Sequence, residues 1–490
     1  MYTLTVFEGT TKYRLSFDGT PTVQQVLEAG GITMPHPCGG AGTCGKCVIE
    51  VIGNVSLPDA AELAAGCRLS CRTRLYGDAI VTLKNRSALL GNSLIAEGFT
   101  ENITPAPAYT SETIGAAVDI GTTTVALSVY ELASGSCLAA KTMLNPQSAI
   151  AADVIGRIDA AMKGNLSTLQ TMLVTCIRTL AENTGYFDRI DKWTLTGNTT
   201  MLYLLTGRTP ETLATAPYEA DHLFGEEITF FGKSAYLPNC LHAFVGADIT
   251  CAIFTSGLCN SNEIALLCDI GTNGEIALWK EGTLYVTSTA AGPVFEGAGI
   301  SCGCQSVMGA IEAVTLQDGA LSVKTIGDAT PVGVCGSGVI DAVACLLDCG
   351  ILDETGAMER DEISLFKHIT ITREDIRNVQ LAKAAIAAGI KTLLEITGTA
   401  EEEISNFYLA GGFGKHLNLD SAARIGLFPQ KFKNKVKVLG NAALKGAATM
   451  LTEENAIKKA ASIAKVAKHI NLGGDATFNK LYVEEMVFPL

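Results

Sequence analysis

Five cysteines crowd one glycine-rich stretch of the chain. Cys38, Cys44 and Cys47 fall in HPCGGAGTCGKC, and Cys67 and Cys71 follow in GCRLSCRT. Gly39, Gly40, Gly42 and Gly45 let the first loop curl and aim backbone N–H groups at sulfur, which suits thiolates gathered round a metal centre. An iron–sulfur cluster needs four thiolates, and the fourth can come from a separate segment. Zinc is the alternative, but its sites favour two CxxC pairs. Here the only CxxC in the stretch is Cys44–Cys47, so the spacing favours iron and sulfide. Two phosphate-loop patterns overlap this loop. Gly40 to Gly45 fits G-x-G-x-x-G but follows MPHP rather than a strand. Gly40 to Cys47 nearly fits a Walker A loop, but Cys47 stands where a hydroxyl should meet magnesium.

A second chemistry is spread along the rest of the chain. DIGTTT (119–124) follows an apolar run, and DIGTNGE (269–275) follows another. Turns of this kind present N–H groups and hydroxyls to phosphate oxygens. The donors are Gly121, Thr122, Thr123 and Thr124 in the first turn, and Gly271, Thr272, Asn273 and Gly274 in the second. Asp119 can hold a magnesium ion through water, and Asp269 is its counterpart. AGGFG (410–414) lacks side chains at Gly411, Gly412 and Gly414, so backbone there can approach a bulky or planar ligand.

These residues need scaffolds of two kinds. Residues 1–86 read as a small β-rich unit: a hairpin from YTLTVFE and KYRLSFDG, a short helix in TVQQVLEAGG, and strands at VIEVIG and DAIVTLK. Residues 87–113 contain Pro105 and Pro107 among small polar residues and read as a linker. From residue 114 the pattern becomes α/β. GAAVDIGTTTVALSVYEL and EIALLCDIGTNGEIALWKEG repeat one strand–turn–strand arrangement, which predicts a duplicated domain split into 114–262 and 263–490. Helices are expected at 168–182, 337–348, 378–396 and 455–468. The chain has 490 residues and a net charge of −14, so several domains are expected and a nucleic-acid partner is disfavoured. No apolar run is long enough to span a membrane and no signal peptide is visible, so a cytoplasmic protein is expected, with its 16 cysteines reduced.

The motifs carry resemblances. HPCGGAGTCGKC with RLSCRT resembles a 2Fe–2S ferredoxin of the adrenodoxin-like spacing, which implies Cys38, Cys44, Cys47 and Cys71 as ligands and leaves Cys67 as an extra thiol. DIGTTT, DIGTNGE and AGGFG resemble the phosphate-1, phosphate-2 and adenosine motifs of the acetate kinase/sugar kinase/Hsp70/actin superfamily, and CGSGVIDAV (335–343) resembles its second connecting helix. The implied fold is multidomain: an α+β, β-grasp-like ferredoxin followed by a duplicated α/β, ribonuclease-H-like ATPase. The whole chain resembles the reductive activators of corrinoid-dependent enzymes, through TGNTTM (196–201), VGAD (245–248), AGPVFEGAGISCG (291–303), IRNVQLAKAAI (376–386), AGGFGKHLNLDSAARIGLFP (410–429) and GNAALKGA (440–447). Cys304 stands where that family implies Met. The short linker implies that the larger middle domain of long members is absent.

The resemblance implies a 2Fe–2S cluster, ATP and Mg2+ as cofactors. It implies one-electron reduction of a corrinoid protein from Co(II) to Co(I), coupled to ATP binding or hydrolysis, with Asp119 and Asp269 at the metal and Asp248 positioning the attacking water. The implied partners are a corrinoid protein or its methyltransferase and a low-potential electron donor; a homodimer is compatible, and neither nucleic acid nor membrane is involved. Two other functions fit parts of the pattern: a small-molecule kinase with a regulatory ferredoxin, and an activator of another low-potential metalloenzyme such as a radical-type dehydratase. The kinase needs an acceptor pocket and a base. The dehydratase activators place a 4Fe–4S cluster between two subunits and lack the ferredoxin. His36, Cys302 and Cys304 read as ordinary loop or packing residues.

Overall fold

The computed structural model describes residues 1–8, 11–32, 34, 42, 47–65, 67–83, 101–106, 108–110, 112–151, 153–317, 320–412, 417–453 and 455–489. Of the expected site residues, Cys38, Cys44 and Gly414 lie outside the described residues, as does His36. The chain forms two compact units: Met1–Asn92 with the short segment Gln147–Ala152, and Ser93–Pro146 with Asp153–Leu490.

The first unit is built on strands β1 (Tyr2–Glu8), β2 (Thr11–Phe17), β3 (Val48–Val55), β4 (Arg68–Leu69) and β5 (Leu75–Leu83), in the order β2-β1-β5-β3-β4. The expected hairpin pairs β1 with β2 from Tyr2–Phe17 to Glu8–Thr11. β5 shows why this sheet has one dry face. Leu75, Gly77, Ala79, Val81 and Leu83 point inward, while Tyr76, Asp78 and Ile80 face solvent, the period-2 pattern of a sheet covered on one side. The helix Val23–Ala29 covers that side, started by a capping box between Thr22 and Gln25. Leu4, Val6, Leu27, Leu69 and Val81 fill the core beneath it.

The second unit contains two six-stranded sheets of matching design. In one, β6 (Ile114–Ile120), β7 (Thr124–Glu131) and β8 (Ser136–Leu144) form an antiparallel meander, and β9 (Ile190–Gly197) lies parallel to β6. β10 (Glu226–Phe230) and β11 (Lys233–Leu237) complete the order β10-β11-β9-β6-β7-β8. In the other, β12 (Ala265–Ile270), β13 (Gly274–Lys280) and β14 (Thr283–Thr289) form the meander, with Asn406–Gly411 parallel to β12. Val436–Gly440 lies beyond Asn406–Gly411, and Ala467–His469 beyond β14. β6 and β12 are buried almost throughout, as expected for central strands covered on both faces. The duplication read from the two DIGT segments is thus present in five strands of each sheet, with β10 added at one edge of the first sheet and Ala467–His469 at the opposite edge of the second.

The helices Leu166–Glu182, Gly336–Asp348, Arg373–Ile396 and Ala456–Val466 stand where periodicity places helices. One assignment changes. The helix grown from CGSGVIDAV does not connect the two sheets; it is buried in the second half, where its Ser337 hydroxyl donates to Glu312 O at 2.7 Å and Val314 N donates to its Asp341. The helices that meet between the sheets are Ala247–Ser256 and Ala442–Thr452. Gly446 makes their approach possible, since a Cβ there would stand 2.3 Å from the Cys251 carbonyl oxygen. The linker reading changes in part as well. Ile103 N donates to Gly135 O and Ala106 N to Leu132 O, and Lys192 reaches the Tyr109 hydroxyl at 2.7 Å. Residues 101–106 and 108–110 therefore dock on the first half of the second unit, while 87–100 lie outside the described residues.

Candidate functional site

In the first unit, Cys47 and Cys71 are both buried, with their sulfurs 3.2 Å apart. That separation suits two thiolates sharing one metal centre. Cys71 sits in a tight turn after β4, and Glu62 holds that turn. Glu62 accepts from Leu69 N at 2.9 Å, from the Thr73 hydroxyl at 2.8 Å and from Arg68 Nε at 3.0 Å. Burial pushes the Glu62 carboxyl up, but these bonds outweigh it and leave the pKa below the ordinary value. Ser70 N donates to Cys47 O at 2.8 Å, tying the two ligand segments together. Cys67 packs at the edge of the same core; burial raises its thiol, and Cys47 adds to the shift. The donor set fits an iron–sulfur cluster with Cys71 beside Cys47. Glu62 carries no motif and was not read from the sequence.

In the second unit, both DIGT turns lie at the carboxyl ends of equivalent strands, where ligands of open α/β sheets bind. Asp119 is in register with Thr196 and Ile120 with Gly197; Asp269 is in register with Ala410 and Ile270 with Gly411. TGN and AGG are thus counterparts in the two halves. Gly411 takes φ +118°, with room for no side chain against Ile270 O. Asn198 caps the helix Thr199–Thr206 and donates to the Thr122 hydroxyl at 3.0 Å, while Asn145 donates to Gly121 O at 2.9 Å. Behind the turn, fully buried Arg157 donates to Thr122 O at 2.6 Å. Burial lowers its pKa to about 10, so it stays cationic at neutral pH.

Asp119, Asp248 and Asp269 converge on one cleft. Each keeps some open surface, yet protein surrounds it closely enough to raise its pKa. Burial lifts Asp119 to about 6, opposed by the Asn441 amide that donates to it at 2.8 Å. Burial, then Asp119 and Glu296, lift Asp269 to about 7. Burial, then Asp119 and Asp269, raise Asp248, which heads the helix Ala247–Ser256. Glu275 is raised strongly by burial and by Asp248 and Asp269. Among the described residues, no three such side chains come close enough to bind one ion directly. Hydroxyls, turn amides and clustered carboxylates nevertheless fit a hydrated Mg2+ with its phosphates. The structure therefore brings together Asp119, Asp248, Asp269, Thr122, Thr123, Thr272 and Asn273, and sets Gly411 and Gly412 beside the second turn. Sequence reasoning did not single out Asn145, Arg157, Asn198, Glu275, Glu296 or Asn441, although most lie in segments quoted above. Cys302 is half-buried with its sulfur 3.7 Å from His368 O, and Cys304 packs with Ala310 and Cys335, so both behave as packing residues.

The molecule is a 2Fe–2S ferredoxin unit combined with an ASKHA nucleotide-binding unit. Family models match in that order: the 2Fe–2S iron–sulfur cluster binding domain over residues 7–76, the RACo middle region over 114–261, and the C-terminal ASKHA domain of RACo over 263–490. The chain belongs to the RACo family. The corrinoid activation enzyme RamQ of Eubacterium limosum is 34% identical over 419 residues, covering 76% of this chain and 70% of that protein. The [Co(II) methylated amine-specific corrinoid protein] reductase of Methanosarcina barkeri is 28% identical over 302 residues, or 55% of this chain and 54% of that one. The solved structure of a reductive activator for corrinoid, iron–sulfur protein superposes with a TM-score of 0.74 at 28% identity, covering 100% of this chain and 98% of that one. The middle region expected to be absent is therefore present; it is the first ATPase half. Among the described residues no helix is long and apolar enough to cross a membrane.

Proposed function

We propose that the chain reduces the cobalt of a corrinoid protein from Co(II) to Co(I), one electron at a time, at the cost of ATP. The observation that carries this reading is one chain holding both a thiolate cluster site and a carboxylate-lined cleft with two phosphate turns. Cys38, Cys44, Cys47 and Cys71 would hold the cluster, which would supply the electron when bound. Glu62 fixes the Cys71 turn, and so fixes where the electron leaves. In the cleft, Asp119 and Asp269 hold hydrated Mg2+, and the hydroxyls of Thr122, Thr123 and Thr272 hold phosphate oxygens. Asp248 positions the attacking water and accepts its proton, a task suited to a carboxyl that burial and its acidic neighbours make more basic than an ordinary carboxylate. The transfer runs uphill, and each ~60 mV for one electron corresponds to about 1.4 kcal/mol. Nucleotide can offset several such units if its affinity differs between two arrangements of the halves. A low-potential donor refills the cluster.

The test is to follow Co(I) by its absorption band while the reduced chain meets a corrinoid protein. Co(I) should accumulate with MgATP and not without it. Equal rates without ATP would detach the cleft from the transfer, and stoichiometric phosphorylation of a metabolite would favour a kinase. Cys71→Ser should lose most of its iron, whereas Cys67→Ser should keep it; the reverse result would move the fourth ligand.

A further inference from the structure

One carboxylate bridges the two halves of the cleft, and the roles above do not use it. Glu296 ends the single 3-10 turn Pro293–Glu296. Its Oε2 accepts from the Thr123 hydroxyl at 2.7 Å and from the Thr272 hydroxyl at 3.2 Å, and those two hydroxyls lie 3.3 Å apart. Thr123 belongs to the first DIGT turn and Thr272 to the second, so one oxygen closes a triangle across the cleft. The other oxygen lies over Gly271, 3.3 Å from where a Cβ would stand. The backbone fixes this position. Val294 and Phe295 are buried just before Glu296, and Gly297 after it takes φ +79° with no space for a side chain against Cys304 O. Burial raises the Glu296 carboxyl, and the two threonine hydroxyls pull it partly back.

A hydroxyl has one proton to donate. Thr123 and Thr272 cannot serve Glu296 and a phosphate oxygen together, because a carboxylate oxygen accepting two hydroxyls fills the place a phosphate oxygen would take. A triphosphate arriving without a cation also meets Glu296, Asp119, Asp248 and Asp269, all acidic. We propose that Glu296 makes the cleft selective for the metal-complexed nucleotide, competing with phosphate for the Thr123 and Thr272 hydroxyls and repelling a triphosphate that lacks Mg2+. The proposal rests on the nucleotide reading of the cleft and adds to it a gate on the chemical form of the ligand.

The test is calorimetric titration of the full, cluster-loaded chain with ATP in excess EDTA and, separately, with MgATP. Glu296→Gln keeps an oxygen that can accept from both hydroxyls but removes the charge. It should bind metal-free ATP about tenfold tighter while its MgATP affinity changes less than about threefold. Glu296→Asp, which restores the charge, should restore discrimination, and matching melting temperatures show that neither substitution acts through folding. A tenfold loss of MgATP affinity in Glu296→Gln with metal-free ATP unchanged overturns the proposal and makes Glu296 a metal anchor. Wild-type affinities in both arms also overturn it. A wild-type chain that binds neither form would instead sink the nucleotide reading itself.

Discussion

The two DIGT turns share a sequence, a strand position and a neighbouring parallel strand, yet their surroundings are opposite in character. The first is backed by a buried cation, Arg157, and braced by the amides of Asn145, Asn198 and Asn441. The second ends in the carboxylate Glu275, and among the described residues no lysine or arginine bonds to it; Glu296 reaches both turns. The causes acting on the two aspartates register the difference: the Asn441 amide pulls Asp119 back, whereas Asp119 and Glu296 push Asp269 further up. Duplication supplies the geometry; divergence leaves one turn braced by a buried cation and amides and the other beside a carboxylate.

The largest test of that difference removes one aspartate at a time. Asp119→Asn should lower ATP turnover by roughly 10²–10³-fold, since it costs the metal its anchor at the better-braced turn. Asp269→Asn should fall less far, because removing one of several crowded charges relieves repulsion as well. Equal losses in a steady-state assay would erase the distinction between the turns. Next, Arg157→Met should cost about 2–4 kcal/mol in denaturant unfolding, because the Thr122 carbonyl stays buried without its charged donor; it should also raise KM for ATP more than it lowers kcat. A KM equal to that of the intact chain would reduce Arg157 to packing.

The smallest effect is one of pH. The carboxyls of Asp119, Asp248 and Asp269 have raised pKa values in the folded chain, so between about pH 4 and pH 8 the native state binds more protons than the unfolded one. The stability they contribute is complete below the unfolded carboxylate pKa of about 4 and is lost as pH rises through the folded values. The melting temperature in EDTA should therefore drop by a few degrees between pH 5.5 and pH 8. Mg2+ should restore it, and more so at the higher pH. A melting temperature that rises with pH in EDTA would show that these carboxyls are not crowded.

Much of this was legible from local pattern. β1, β2, β3 and β5 follow from alternation, and β6 and β12 from unbroken apolar runs ending in the same four residues. Cys47, Cys71, Asp119 and Asp269 stand out because their residue types and spacing carry chemistry without reference to the fold. Asn441 could not be found that way, since its partner Asp119 is 322 residues away in sequence. Arg157 reads as one more charge on a short helix, and only the fold shows that it is buried. CGSGVIDAV was misassigned for a related reason. A glycine-rich start and an apolar helix describe any buried helix, and which sheet it covers is a long-range fact.

The crossing of Ala247–Ser256 and Ala442–Thr452 has a mechanical consequence. At the crossing point Gly446 rests against the Cys251 carbonyl rather than against a side chain, and Ala442, Ala443 and Ala447 flank it on the same helix. Helices that interlock through large side chains behave like meshed gears and move by jumps. A crossing whose tightest contact is backbone on backbone behaves more like a bearing, turning through small angles without losing that contact. A small turn at that bearing becomes a larger arc at the far strands of each sheet, so a contact without side chains sets the leverage between them.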